Sequence, residues 1–210
     1  MTQKYTAFFY GTLLHPAILR RVIGHEGQKL EICPALLLDY TRHQIKHADY
    51  PAVLPYSRSR ELYEHDLSPE GRVVRGTLVT GLEEADIELL DIFEGNEYIR
   101  ENISAYPLAA FVPLSSPESP SAVPLGTPPP LPPLDSLTAP IPAQTYVWSQ
   151  PISRLSSNIW EYTDFMRDSA HKWVGADANS NADYIEVDRR RAMNGNTATT
   201  EITSVVVPTQ

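Results

Sequence analysis

Leu90-Asp91-Ile92-Phe93-Glu94-Gly95-Asn96-Glu97-Tyr98-Ile99-Arg100 is the stretch on which the fold turns. It joins the end of a helix to the start of a strand across one glycine. Upstream, Leu82, Ala85, Leu89 and Phe93 fall at helical spacing and Leu90 widens the apolar stripe. Glu83, Glu84 and Asp86 occupy the first turn, where negative charge suits the helix dipole. Gly95 is placed to end the helix. Downstream, the pattern predicts a strand from Tyr98 to Pro107, paired with the strand before the helix. Alternation puts Tyr98, Arg100 and Asn102 on one face and Ile99, Glu101 and Ile103 on the other. Glu94 is left at the helix C-terminus, where the partial negative charge of the last carbonyls disfavours a carboxylate. Burial there would raise its pKa further and fit it to exchange protons near neutrality. The plainer alternative has Glu94 facing solvent or capping an amide. Arg100 either holds an acidic ligand beside Tyr98 or neutralises Glu94 or Glu97.

Strands and loops are legible on both sides of this junction. Val73 to Thr80 is β-branched, and its central Gly76 marks a bulge or a backbone passing close by. At the N-terminus, Phe8-Phe9-Tyr10-Gly11-Thr12-Leu13-Leu14 reads as a strand running into a tight loop, with Pro16 opening a helix that continues through Ile23. Amides presented at such a turn suit a carboxylate, though an ordinary core strand and loop would look the same. Residues 30–38 are apolar enough for a buried strand in which Pro34 suggests a bend or edge, and Cys33 reads as a small buried hydrophobe. Asp39 to His47 favours strand, so His43 and His47 do not share a helix face and no metal site is expected. Tyr50 and Pro51 are expected on a loop bordering a cavity. Ser57 to Arg72 reads as a solvated loop. From Pro113 to Pro142 proline dominates and predicts an extended excursion. Gln144 to Trp148 then resumes a strand, so the excursion interrupts a sheet. Ile159, Tyr162, Met166, Ala170 and Trp173 predict a second amphipathic helix from about Arg154 to Trp173. Beyond Gly175 the chain is polar, with Arg189-Arg190-Arg191 and a β-prone Thr203 to Pro208.

Composition narrows the function. A chain of 210 residues can bury a real core. Its net charge of −9 argues against nucleic acid and against an anionic membrane surface. No run approaches the roughly 20 apolar residues of a membrane span. One cysteine excludes an internal disulfide framework. The opening Met1-Thr2-Gln3-Lys4 lacks a secretory signal pattern, so a cytoplasmic location is expected.

Tyr10-Gly11-Thr12-Leu13, Tyr50-Pro51-Ala52, Val74-Arg75-Gly76, the Leu90 to Arg100 stretch and Tyr146-Val147-Trp148 occur in this order. As an ordered set they resemble the gamma-glutamylcyclotransferase-like superfamily, especially its plant and fungal avirulence-induced-gene branch, over roughly residues 5–174. The resemblance implies an α+β fold, a small mixed barrel-like β-sheet with flanking helices, here carrying a proline-rich insertion at 113–143. The domain would span 1–175, with 176–210 as a polar C-terminal tail. It also implies that Tyr10, Gly11, Thr12 and Leu13 form the substrate-binding loop and that Glu94 is the general acid/base. Tyr98, and more loosely Arg100, would line the pocket. The implied substrate is a small gamma-glutamyl compound, cyclised to 5-oxoproline with no cofactor and no metal. The leaving group stays open among a free amino acid, a dipeptide, glutathione, a protein-linked lysine and a small amine. So does the oligomeric state. Two rivals share these residues: another Glu-assisted reaction in the same pocket, and a non-catalytic interaction protein using the proline-rich segment.

Overall fold

A computed structural model of the protein describes residues 3–116 and 129–170, together with 173, 184, 185, 188 and 189. Five strands close a barrel: β1 (Tyr5–Phe9), β2 (Glu31–Leu38), β5 (Val73–Leu82), β6 (Tyr98–Pro107) and β8 (Ile141–Trp148). The order around it is β5-β1-β8-β6-β2, and β2 returns to pair with β5. Only β1 and β8 run parallel among these pairs. A two-residue strand, β7 (Val112–Pro113), adds to β2, and a second antiparallel sheet is built from β4 (Pro51–Pro55), β3 (Tyr40–Ile45) and β9 (Leu155–Ile159). Helices α1 (Pro16–Ile23) and α3 (Glu84–Glu94) pack together, while α2 (Tyr56–Ser59) and α4 (Tyr162–Asp168) are short.

Closure is a matter of side-chain size. Alternate residues of the five strands fill the barrel, with Phe8, Leu37, Leu78 and Ile103 set among the small Cys33, Ala35, Ala105 and Ala143. At Gly76 even a methyl group is too much: a Cβ there would lie 2.2 Å from the Phe9 carbonyl oxygen and 2.5 Å from Phe8 Cζ. The close approach expected of that glycine is therefore that of its ladder neighbour β1, which pairs with β5. Pro34 sits inside β2, between β5 and β6/β7. Its carbonyl accepts from Leu108 N–H at 2.8 Å on the side where the β6 and β7 pairings leave a gap, so its missing N–H costs no ladder bond.

Outside the barrel, Ile18, Leu19 and Val22 of α1 meet Ile87, Leu90 and Phe93 of α3 in the larger core. Pro16 stands at the first position of α1, and His15 caps it by accepting from Ala17 N–H at 3.1 Å. Burial lowers the His15 pKa, which keeps that ring nitrogen an acceptor. In α3, Asp86 accepts from Glu83 N–H at 2.8 Å, and Gly95 ends the helix at φ 64°.

Four expectations change. The α3 stripe is rotated: Ala85 is exposed, while Asp86 and Ile87 are buried. Strand β6 has the expected bounds but pairs with β2 and β8, because β5 is already flanked by β1 and β2. The predicted second helix is half strand. Residues 155–159 join the free edge of β3, pairing Leu155 with Ile45 and Ile159 with His43, and α4 begins only at Tyr162. Ladder bonds to a distant edge outweigh local periodicity there, and Ile159 is left exposed. The Ser57–Arg72 region is a folded flap with helical turns at 56–59, 60–62 and 70–72, Ser59 is buried, and the Arg72 guanidinium lies 4.4 Å from the Tyr56 ring centre. His43 is buried in β3 and His47 lies in a turn at φ 68°.

Residues 117–128 of the proline-rich stretch and 191–210 of the tail lie outside the described residues, so the β-prone Thr203 to Pro208 does too. Within the tail, Tyr184 is buried against Phe93 (ring centres 5.8 Å apart), and Asp188 accepts from Arg21 Nη1 at 2.6 Å.

Candidate active site

Strand β1 ends at Phe9, and Tyr10 leads into a loop that closes as a single 3₁₀ turn, Thr12–Leu14. Two bonds set its shape: Leu14 N–H to the Gly11 carbonyl and His15 N–H to the Thr12 carbonyl, each 3.0 Å. The amides of Gly11, Thr12 and Leu13 donate to no described residue. The Tyr10–Leu13 loop borders a cavity of about 60 Å³. Glu94 and Glu97 border it from the end of α3, Tyr50 and Pro51 from the start of β4, and Tyr98 from β6. Phe93 and Trp173 supply an aromatic wall.

Six of the seven site residues expected from the sequence thus meet around one cavity, eighty-odd positions apart in the chain at most: Tyr10, Gly11, Thr12, Leu13, Glu94 and Tyr98. Tyr50 and Pro51 border it as expected. Arg100 does not. It is turned onto the outer face of the barrel, with Nε 3.0 Å from Asp91 and Nη1 donating to Gln144 at 2.8 Å. The arginine that neutralises Glu97 is Arg154, 2.6 Å away, and Tyr50 donates to the other Glu97 oxygen at 2.9 Å. Glu97 is thereby committed to holding Tyr50 in place. Sequence reasoning missed Trp173, which lines the cavity, and Arg154, which pairs with Glu97, because both arrive through tertiary packing and neither lies in a local pattern that marks a site.

Tyr10 and Tyr98 border the same cavity as Glu94. Tyr98 donates its hydroxyl to the Pro51 carbonyl at 2.8 Å, and Tyr10 donates to the Tyr146 carbonyl. Burial pushes both phenols well above their ordinary value, and the charge of Glu94 pushes the same way. Tyr146 is raised likewise, first by burial and then by Glu94. All three stay protonated, and their work is to hold backbone carbonyls and carboxylates in position. Tyr146 donates to Asp91 at 2.8 Å, which in turn holds Arg100. The loop, the Glu94 and Glu97 carboxyl groups and the aromatic wall thus border one small cavity.

Residues 7–118 match the family model described as "Gamma-glutamyl cyclotransferase, AIG2-like". The chain belongs to the AIG2-like gamma-glutamyl cyclotransferase family. Among its relatives, Protein AIG2 C of Arabidopsis thaliana is 27% identical over 101 residues, covering 48% of this chain and 52% of that protein. AIG2-like protein D of the same plant is 28% identical over 99 residues, covering 47% and 55%. The chain therefore spans about half the length of the curated relatives it matches. A solution structure of another Arabidopsis thaliana protein aligns over 100% of this chain and 98% of its own, with TM-score 0.49 and 18% identity. A yeast gamma-glutamyl cyclotransferase described as specific to glutathione aligns over 95% and 90%, with TM-score 0.47 and 13% identity. In this AIG2-like chain the family match takes in the loop at Tyr10–Leu13 and Glu94 together. No helix among the described residues is long and apolar enough to cross a membrane.

Proposed function

We propose that this protein is a gamma-glutamyl cyclotransferase-type enzyme acting on a small gamma-glutamyl amine or peptide. The observation that carries the reading is that Glu94 and the Tyr10–Leu13 loop line one cavity. In the proposed reaction the substrate's neutral α-amino nitrogen attacks its own γ-carbonyl carbon. A new C–N bond closes the five-membered ring of 5-oxoproline, and the original amide C–N bond breaks. Glu94 takes the proton lost by the attacking nitrogen and returns it to the departing one, so that a free amine or amino acid leaves. Because nucleophile and electrophile share one molecule, folding the substrate chain back on itself supplies much of the rate.

The loop's part is orientation. Amides of Gly11, Thr12 and Leu13 that donate to no described residue suit the α-carboxylate, which fixes the end of the substrate bearing the nucleophile. Gly11 lets Pro51 come close: a Cβ there would sit 2.9 Å from Pro51 Cγ, so the loop and β4 are in contact at this point. Phe93 and Trp173 exclude water from the reacting atoms. Glu97, tied to Tyr50 and Arg154, keeps the opposite wall in place.

The test is turnover. Purified protein should release 5-oxoproline from gamma-glutamyl amines or peptides, and Glu94→Gln, which keeps shape and removes the proton acceptor, should lower kcat by about 10²- to 10⁴-fold with an unchanged melting curve. Absence of turnover across such compounds at millimolar concentration would sink the proposal. A Glu94→Gln protein as active as the parent would sink the role of Glu94.

A further inference from the structure

Arg42 is a nearly buried cation with few good hydrogen bonds. It projects from β3 into the space between the second sheet and the barrel, and its side chain is only 10% exposed. Burial pushes its pKa down to about 10, against the pull of Glu161. Removing a guanidinium from water costs several kcal/mol unless good hydrogen bonds compensate. Here few do. Its Nε has no hydrogen-bond partner. Glu161 lies 3.6 Å from Nη2, and the bond to the Arg75 carbonyl is long at 3.4 Å. The Trp160 ring covers one face, 5.1 Å from the guanidinium carbon. The one well-made bond goes from Nη1 to the carbonyl of Tyr10, at 2.9 Å.

That carbonyl is the hinge of the substrate loop. The β1–β5 ladder ends at the Phe9–Thr77 pair, so the Tyr10 carbonyl lies one residue beyond the last partner β5 offers. The next residues are Gly11, Thr12 and Leu13. A neutral aliphatic chain could fill the gap between the sheets without the desolvation cost. What it could not do is give the Tyr10 carbonyl a charge-assisted donor, roughly twice as strong as a neutral one.

We propose that Arg42 is a positioning residue for the substrate loop, clamping the Tyr10 carbonyl so that the Gly11–Leu13 amides hold a fixed aim into the cavity. The kinetic half of this proposal rests on the gamma-glutamyl reading above; the structural half does not. Because the loop is proposed to grip a carboxylate that is unchanged through the reaction, losing its aim weakens substrate and transition state alike, which raises KM and spares kcat. The clamp also links the loop to Trp160 and Glu161, the two residues before α4, so the loop is braced against the sheet that carries β4 and Pro51.

The experiment uses Arg42→Met, which removes the donor and keeps an unbranched chain, and Arg42→Lys, which keeps a charge and one donor. Amide hydrogen exchange is measured first, in the absence of substrate. Leu14 and His15, whose N–H groups close the loop, should exchange at least tenfold faster in Arg42→Met, while Leu78 and Val79 in the barrel keep the parent rates. Equal acceleration at all four positions, or none at Leu14 and His15, overturns the proposal. Steady-state kinetics on a gamma-glutamyl compound follow. Arg42→Met should raise KM at least tenfold with kcat within about threefold of the parent, and Arg42→Lys should recover part of the loss. A fall in kcat at unchanged KM overturns the positioning role. If the parent protein turns over no gamma-glutamyl compound, the functional reading fails while the exchange result still decides whether Arg42 sets the loop.

Discussion

Gly11→Ala tests the contact between the loop and Pro51. The new Cβ would lie 2.9 Å from Pro51 Cγ and 3.0 Å from Pro51 Cδ, where ordinary contact begins near 3.4 Å. About 0.5 Å of separation has to be found. The proline ring cannot swing aside as a flexible side chain would, and the Pro51 carbonyl is held by the Tyr98 hydroxyl. The displacement therefore falls on the loop. Misplacing a bound group by 1 Å can cost about 10²-fold in rate, so half that distance predicts about a tenfold loss in kcat/KM, or about 1.4 kcal/mol. Overpacking should also cost about 1–3 kcal/mol of stability. Both are read on one preparation, the first by 5-oxoproline release and the second by chemical denaturation. Alanine at position 11 with parental KM and parental stability would refute the close loop–β4 contact. A loss of stability with parental KM would refute the assignment of this loop to substrate.

Two further predictions concern groups buried away from the cavity. His43 is fully buried, with its ring nitrogens bonded to the Ser156 carbonyl and the Thr41 hydroxyl, and burial lowers its pKa below the ordinary 6.5. The folded protein thus resists a proton that the unfolded chain accepts. Stability is full above pH 6.5 and declines as pH falls through the folded value. Melting temperatures followed from pH 7.5 to pH 5 should drop, and His43→Gln should flatten that slope; an unchanged slope would remove His43 as its source. Cys33 lies wholly inside the barrel, with its thiol pushed up to about 11. A thiol reagent at pH 8 should leave the native protein unlabelled and modify one group after denaturation. Rapid native labelling would show the barrel to be open at β2.

Much of this protein was legible in its residues because the informative patterns are local. Pro16 and Gly95 mark helix ends by what their backbones permit, and the structure puts α1 and α3 where they predict. Gly76 in a β-branched run marked a bulge or a backbone passing close by, and the Phe9 carbonyl of β1 does pass close. The loop and Glu94 stood out as residue types in unusual places: amides at a tight turn, a carboxylate at the wrong end of a helix. By contrast, the rotated stripe of α3, the partners of β6 and the strand at Leu155–Ile159 depend on which edges are free once the barrel has closed. No window of sequence contains that information.

The same division runs through the site. The sequence by itself determined α1, α3, the barrel strands and the family to which the chain belongs, since each depends on short-range backbone chemistry or on ordered motifs. Only the tertiary structure decided which charges meet. Arg100 lies close to Glu97 in sequence yet is spent on Asp91, while Glu97 is met by Arg154, 57 residues away. Arg42, 32 residues from Tyr10 in sequence, ends on the carbonyl that opens the Tyr10–Leu13 loop. Electrostatic partnership falls off over a few ångströms and is indifferent to sequence separation, so it is settled by the closing of the barrel and by nothing earlier.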